Sequence, residues 1–379
     1  MRISKTSSLA GIYLHVPFCK QACHYCDFHF STSLRYRERM VAALIRELEL
    51  RQREWQDHTI DTIYFGGGTP SMLRTDEITQ LLDRMRDLAT VAPDAEITLE
   101  ANPDDLTEAK LAELAATGVN RLSIGIQSFY EEDLRFFNRA HNAEEAERCV
   151  RWARAAGFEN LTIDLIYGSP STPDDHWRAN LDRAFALDVP HLSCYCLTVE
   201  EGTALAHFVK TGRAQPVDED RAARHFDLLL EQTAAAGYEQ YEISNFARPG
   251  WYSRHNSAYW TGTPYVAIGP SAHGFDGTRR YWNVRHNARY MTAIETGELP
   301  QEIETLSMDD RYNEYVLTAL RTKWGVTQER LRMFGAEQHF LQLAQPYLEA
   351  GKMERTGDAY RLTAAGKFLA DGIAAVLFR

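Results

Sequence analysis

The sequence has no low-complexity tract, no long proline- or glycine-rich stretch and no block of like charge. Disorder is therefore not its default state. No window approaches the roughly 20 apolar residues that a membrane span requires. Met1 to Ala10, carrying Arg2 and Lys5, runs straight into Ile12-Tyr13-Leu14-His15-Val16, too short and too polar-interrupted for a signal peptide. A cytoplasmic location is expected. The formal net charge is −12, and basic residues are scattered among acidic ones rather than gathered in a stripe. This argues against a phosphate-binding face, so nucleic acid is not an expected partner. Cysteine is scarce: of six, three sit within eight residues of one another, and Cys149, Cys194 and Cys196 stand apart. No disulfide framework is expected from that placement.

At 379 residues the chain has room for one large α/β domain and a smaller appendage. A strand-like run, Gly11 to Val16, enters the cysteine loop, and an amphipathic segment from Arg35 to Trp55 follows. The pattern recurs with Thr62 to Phe65 before a helix from Thr75, Ile97 to Glu100 before one from Thr107, and Arg121 to Ile126 before one from Ala143. Leu161 to Ile166 then precedes a helix from Asp174, and His191 to Leu197 one from Asp218. These read as continuous apolar strands separated by helices, hence as a parallel sheet covered by helices. Six such units bend into a partial (β/α)6 barrel.

In such sheets chemistry gathers at the C-terminal strand ends. Cys19, Gly66 to Thr69, Glu100, Gln127 and Asp164 all sit at or just beyond such ends. The expected division is a barrel over residues 1–245, a loop-rich connector over 246–306, and a small α+β, winged-helix-like C-terminal domain over 307–379. The acidic balance argues for a packing or regulatory role for that last domain rather than DNA binding.

Cys19-x-x-x-Cys23-x-x-Cys26 places three thiols on a tight loop, enough to ligate three irons of a [4Fe–4S] cubane and leave the fourth iron open. Zinc in a Cys3His site is the rival, since His15, His24 and His29 are nearby. Three buried thiols without metal fit poorly with a polar loop containing Lys20, Gln21 and His24. Cys149, Cys194 and Cys196 read as core filling.

Tyr13-Leu14-His15-Val16-Pro17-Phe18-Cys19 through Cys26-Asp27-Phe28 resembles the radical SAM signature, in the branch of oxygen-independent coproporphyrinogen III oxidases and their relatives. The resemblance spans roughly residues 11 to 282. It implies that S-adenosylmethionine (SAM) binds the open iron and that one-electron reduction cleaves it to a 5′-deoxyadenosyl radical. Gly66-Gly67-Gly68-Thr69-Pro70 resembles the loop that receives the methionyl amine and carboxylate. By the same resemblance Tyr13 precedes the cluster, Glu100 and Arg139 grip the polar ends of SAM, and Gln127 and Asp164 hold ribose hydroxyls or the amino acid part. Each has a plainer reading: Glu100 as a helix cap, Asp164 as a partner of backbone donors, Arg139 as a solvated helix residue.

In the oxidases of this branch a fourth cysteine stands two positions after the third; here that position is Phe28. The departure resembles the haem-chaperone relatives instead. His255-Asn256-Ser257-Ala258-Tyr259-Trp260 resembles a His-Asn-x-x-Tyr-Trp motif associated there with haem handling, which makes His255 a candidate axial ligand, with His273 a second. The plain alternative is that both histidines serve a buried connector. The resemblance thus implies a chaperone that carries haem as cargo to apo-haemoproteins and holds a SAM-bound [4Fe–4S] cluster. It also implies an electron donor, a homodimer and peripheral contact with membrane-bound acceptors. The alternative is a radical SAM decarboxylase of porphyrin biosynthesis.

Overall fold

The computed structural model describes residues 11–379, so the reading of Met1 to Ala10 lies outside the described residues. Six parallel strands form its centre: β1 (Gly11–Val16), β2 (Thr59–Gly67), β3 (Thr90–Ala101), β4 (Arg121–Gln127), β5 (Asn160–Tyr167) and β6 (His191–Cys196). Between them run α1 (Arg37–Leu50), α2 (Thr75–Leu88), α3 (Glu108–Thr117), α4 (Glu131–Phe137), α5 (Ala143–Ala155) and α6 (Asp174–Ala186). After β6 come α7 (Ala204–Lys210) and α8 (Glu219–Ala235). The helices form where the sequence offers one apolar stripe. On α2, Ile78, Leu81, Leu82 and Met85 recur at helical spacing and are fully buried. Each such side chain contributes roughly 1.5–3 kcal/mol by leaving water. The start of α5 is fixed by a reciprocal pair, Glu145 N–H to Asn142 Oδ1 at 2.9 Å and Asn142 N–H to Glu145 Oε2 at 3.0 Å.

The strands are not continuously apolar, as the sequence suggested. Ile12, Leu14 and Val16 of β1, Ile63 and Phe65 of β2, and Leu122, Ile124 and Ile126 of β4 pack into the helix-covered core. The residues between them are polar: His15, Thr62, Thr98, Glu100, Arg121, Ser123, Gln127 and Asp164. Because side chains alternate across a strand, the sheet has an oily outside and a polar, concave inside. Tyrosine and histidine at the inner positions of β1 and β2 mask this alternation in the sequence.

The sheet stays open. On one flank β8 (Asn245–Ala247) adds antiparallel to β6, and β7 (Glu239–Glu242) adds antiparallel to β8 at the edge. On the other, the stretch read as loop-rich instead extends the sheet. After α9 (Arg254–Trp260), β9 (Tyr265–Ile268) lies parallel to β1, followed by antiparallel β10 (His273–Phe275), β11 (Arg279–Asn283) and, beyond α10 (Asn287–Glu295), β12 (Gln301–Thr305).

A second core forms over α11 (Met308–Leu320), β13 (Val326–Thr327), α12 (Gln328–Met333), α13 (Glu337–Glu349), β14 (Met353–Thr356), β15 (Ala359–Leu362), α14 (Ala364–Lys367) and α15 (Ala370–Val376). This C-terminal unit docks on β7 and β8. Arg321 pairs with buried Glu242 at 3.0 Å, and the Ile243 N–H bonds the Arg321 carbonyl at 3.0 Å. No helix among the described residues is long and apolar enough to cross a membrane.

Candidate functional site

The loop after β1 is pinned at both ends. Cys19 N–H donates to Ser31 O at 3.0 Å and Ser31 N–H to Pro17 O at 2.9 Å. The glycine turn after β2 closes on its entry, with Gly68 N–H on Val16 O at 2.9 Å and Thr69 N–H on Phe18 O at 2.6 Å. A Cβ at position 68 would stand 2.7 Å from the Phe18 carbonyl oxygen, so only glycine permits the approach. Gly67 adopts φ 109°, and a Cβ there would collide with the His15 ring. From the far side, Asn138 at the end of α4 donates to Ala22 O at 2.7 Å, and Gln21 donates to Asn138 Oδ1 at 2.7 Å.

Three half-buried thiols face inward from this loop. Thr69 Oγ1 donates to Cys19 Sγ at 3.4 Å, and Arg139 Nη1 donates to Cys23 Sγ at 3.3 Å. Asn102 joins the two donors: its Nδ2 reaches Thr69 Oγ1 at 3.2 Å and its Oδ1 accepts from Arg139 Nη2 at 2.5 Å. Burial pushes the Cys19 and Cys26 thiols up to about 11, so without a metal they hold their protons at neutral pH. Among the described residues no group of three or more His, Cys, Asp or Glu closes on a single metal ion. A polynuclear cluster requires a wider spread of thiolates than one ion does. The donors aimed at two of the three sulfurs, and the thiolate-compatible cation beside them, suit such a cluster.

Among the described residues Arg139 hydrogen-bonds neutral or thiol partners: Cys23, Tyr25, Asn102 and the Gly125 carbonyl. Its Nε is buried without a partner among the described residues. Glu100 accepts from Tyr64 OH at 2.7 Å and Gly67 N–H at 3.2 Å, yet burial pushes it up to about 6. Burial, and then the charge of Glu100, push Asp164 up to about 7. Gln127 is buried with φ 68°, a conformation that costs a side-chain-bearing residue on the order of 1–3 kcal/mol and gathers at functional sites. An unneutralised guanidinium at one wall and two desolvated carboxylates at another suit a ligand carrying both charges, such as an amino acid derivative.

Cys19, Cys23, Cys26, Gly67, Gly68, Thr69, Glu100, Gln127, Arg139 and Asp164 all line one cavity of about 1080 Å³. Tyr13 and His255 do not. Tyr13 lies beneath the glycine turn, bonded to His15 Nδ1 at 3.3 Å, and it backs the turn rather than reaching into the cavity. The structure places His255, the expected haem ligand, outside the lining of that cavity. Its Nδ1 pairs with Thr62 Oγ1 and its Nε2 with Tyr259 OH, each at 2.7 Å, and its ring stacks on Tyr64 at 4.9 Å. Desolvation pushes it down to about 3, so it is a neutral imidazole with both nitrogens committed. The backbone N–H groups of Arg254 and His255 settle on Glu96. The His-Asn-x-x-Tyr-Trp segment therefore forms the barrel floor, under the tyrosine that holds Glu100. His273 is exposed, with its ring against Trp282.

Sequence reasoning missed Asn102, Tyr25, Ser123 and Gly125. Asn102, just past the end of β3, and Ser123 and Gly125, at alternate positions of β4, offered a signal; Tyr25 offered none. It also missed the C-terminal wall of the cavity, where Arg321, Tyr347 and Lys367 to Ile373 stand; nothing local to those residues announces that position.

A family model described as the Radical SAM superfamily matches residues 13–184. The chain belongs to that superfamily, the class its fold and cysteine loop define. Its likeness to a solved structure of coproporphyrinogen III oxidase (HemN) from Escherichia coli, at TM-score 0.85 and 23% identity over 99% of this chain and 91% of that one, concerns the fold. The chain is 38% identical to the Heme chaperone HemW of Mycobacterium tuberculosis over 97% of its length and 94% of the relative's. It is 32% identical to the Heme chaperone HemW of Bacillus subtilis over 96% and 98% respectively. Within the superfamily, it is a member of the HemW family.

Proposed function

We propose that this protein is a cytoplasmic haem chaperone that binds haem and hands it to apo-haemoproteins. The observation that carries the reading is near-full-length kinship with proteins named for that role. Phe28 supports it. It stands where the oxidases of the branch place a fourth cysteine, and its ring is 66% exposed at the cavity mouth, so no thiol is offered there.

Cys19, Cys23 and Cys26 would hold a [4Fe–4S] cluster, which when bound with SAM supplies one-electron cleavage chemistry. Thr69 and Arg139 donate to the sulfurs and hold negative charge at the loop. Glu100, fixed by Tyr64 and the Gly67 amide, and Asp164 receive the ammonium and hydroxyl groups of SAM. Gln127, locked by its strained backbone, orients them. An external electron donor, a homodimer and peripheral contact with membrane-bound acceptors complete the proposal.

The test is anaerobic cluster reconstitution, followed in one preparation by haem titration at the Soret band and an assay for coproporphyrinogen decarboxylation. Stoichiometric haem binding without CO₂ release is expected. CO₂ release coupled to SAM cleavage, with no stable haem complex, would make the protein an oxidase.

A further inference from the structure

Cys19 and Cys23 receive their hydrogen bonds from side chains, Thr69 and Arg139, whereas Cys26 accepts from the backbone amide of Phe28. The two side-chain donors come from different places, the glycine turn after β2 and the segment after α4, and Asn102, just past the end of β3, touches both. Its amide can stand only one way. A guanidinium carries donors and no acceptor, so the amide oxygen faces Arg139 Nη2, at 2.5 Å, and the NH2 is left to face Thr69 Oγ1, at 3.2 Å. That choice passes along the chain of contacts. A hydroxyl has one hydrogen, and with a lone pair of Thr69 Oγ1 taken by the Asn102 NH2, the hydrogen goes to Cys19 Sγ, at 3.4 Å. Polarity therefore runs from Arg139 through Asn102 and Thr69 to Cys19, while Nη1 of the same guanidinium serves Cys23 at 3.3 Å. The surroundings keep this relay in register. The Asn102 N–H donates to Ser71 Oγ at 3.3 Å, and Ser71 donates to Asp105 at 2.7 Å. A Cβ at position 125 would stand 2.9 Å from Gln127 Nε2 and 3.2 Å from Arg139 Nη2, so glycine there leaves the guanidinium its room.

We propose that Asn102 is a positioning residue that sets the reduction potential of the cluster, by holding donors on two of its three cysteine sulfurs at once. This rests on the cluster proposed above and holds for chaperone and oxidase alike. When one electron arrives from the external donor, which is oxidised by one, no atom or proton moves and negative charge grows on the sulfurs. Donors already aimed at those sulfurs stabilise the reduced form more than the oxidised one, and hydrogen bonds to sulfur are among the levers that set such potentials. One neutral amide thus ties the charge of Arg139 to both Cys19 and Cys23.

The test is an EPR-monitored redox titration of the full-length, cluster-reconstituted protein without SAM. Asn102→Ala is expected to load the parent's iron and sulfide and to lower the reduced-to-oxidised ratio at a fixed potential about tenfold, a midpoint lower by about 59 mV for one electron. Thr69→Val, which removes one donor, should lower the ratio roughly threefold, a midpoint lower by about 28 mV. Asn102→Asp gives a readout that lost packing does not mimic. Its carboxylate still accepts from Arg139 but has no hydrogen to give, so the Thr69 hydroxyl turns to it and leaves Cys19. In that background Thr69→Val should move the midpoint no further, whatever offset the added charge brings. An equal Thr69→Val shift in both backgrounds, or a parental midpoint in Asn102→Ala with its cluster intact, would overturn the relay and leave the cluster reading standing. Should Asn102→Ala take up no iron, the Thr69→Val comparison decides alone. A parent chain that binds no cluster would remove both.

Discussion

The top and the floor of the barrel are built from the same strands, a few residues apart, and they treat polar side chains in opposite ways. At the floor, His255 uses both ring nitrogens on Thr62 and Tyr259, and Glu96 accepts from Ser253 and from the amides of Arg254 and His255. At the top, Arg139 has no carboxylate partner among the described residues, and Glu100 and Asp164 are buried far enough to climb to about 6 and about 7. Gln127 holds a backbone angle its residue type disfavours. Buried polar groups that satisfy one another are architecture. Buried polar groups left wanting are a site waiting for a ligand.

The contrast can be broken most decisively at the thiols. Cys23→Ala is expected to abolish cluster incorporation, read as iron and sulfide per chain after reconstitution, whereas His255→Gln should retain the full complement. The next effect is Arg139→Met, which should raise the Kd for SAM on the order of tenfold to a hundredfold by calorimetry, because it removes a charged donor from a desolvated wall. At the floor the signature is reversed. His255→Ala should cost roughly 2–3 kcal/mol in denaturant unfolding, by leaving Thr62 and Tyr259 short of a partner and opening a void, while haem titrations keep the parent Soret maximum.

The smallest effect concerns Asp164. Its folded pKa lies above the ordinary value of 3.8, so its contribution to stability is fully present below about pH 4 and is lost as pH rises through about 7. Asp164→Asn should therefore stabilise the ligand-free protein at pH 8 by on the order of 1–2 kcal/mol and flatten its stability between those two pH values. A variant less stable than the parent at pH 8 would show that Asp164 belongs with the floor's satisfied groups.

Much of this was legible from the chain alone, because it was local. A strand followed by Cys-x-x-x-Cys-x-x-Cys, or by Gly66-Gly67-Gly68, declares both its element and its end. Glu100 and Asp164 stand out as carboxylates at the close of strands. The surroundings of His255 were opaque for a chemical reason: an imidazole beside aromatics suits an iron and a hydrogen-bonded floor equally well, and the partners its nitrogens meet lie 193 residues away at Thr62 and four away at Tyr259. Lys367 and Phe368 were beyond reach, since their place at the cavity depends on how a separate core docks on β7 and β8. The stretch through Tyr265 to Asn283 looked loop-like because its strands are three to five residues long and glycine-punctuated, too short to show a period.

The anchoring of the cysteine loop also sets a schedule. Gly68 and Thr69 hold its entry, Asn102 ties the two donors to its sulfurs, and Asn138 and Arg139 secure its other side. On a ribosome, the three cysteines emerge more than a hundred residues before the last of these anchors. The loop's shape is therefore a late product of synthesis, complete only once α4 has been made and has folded against it.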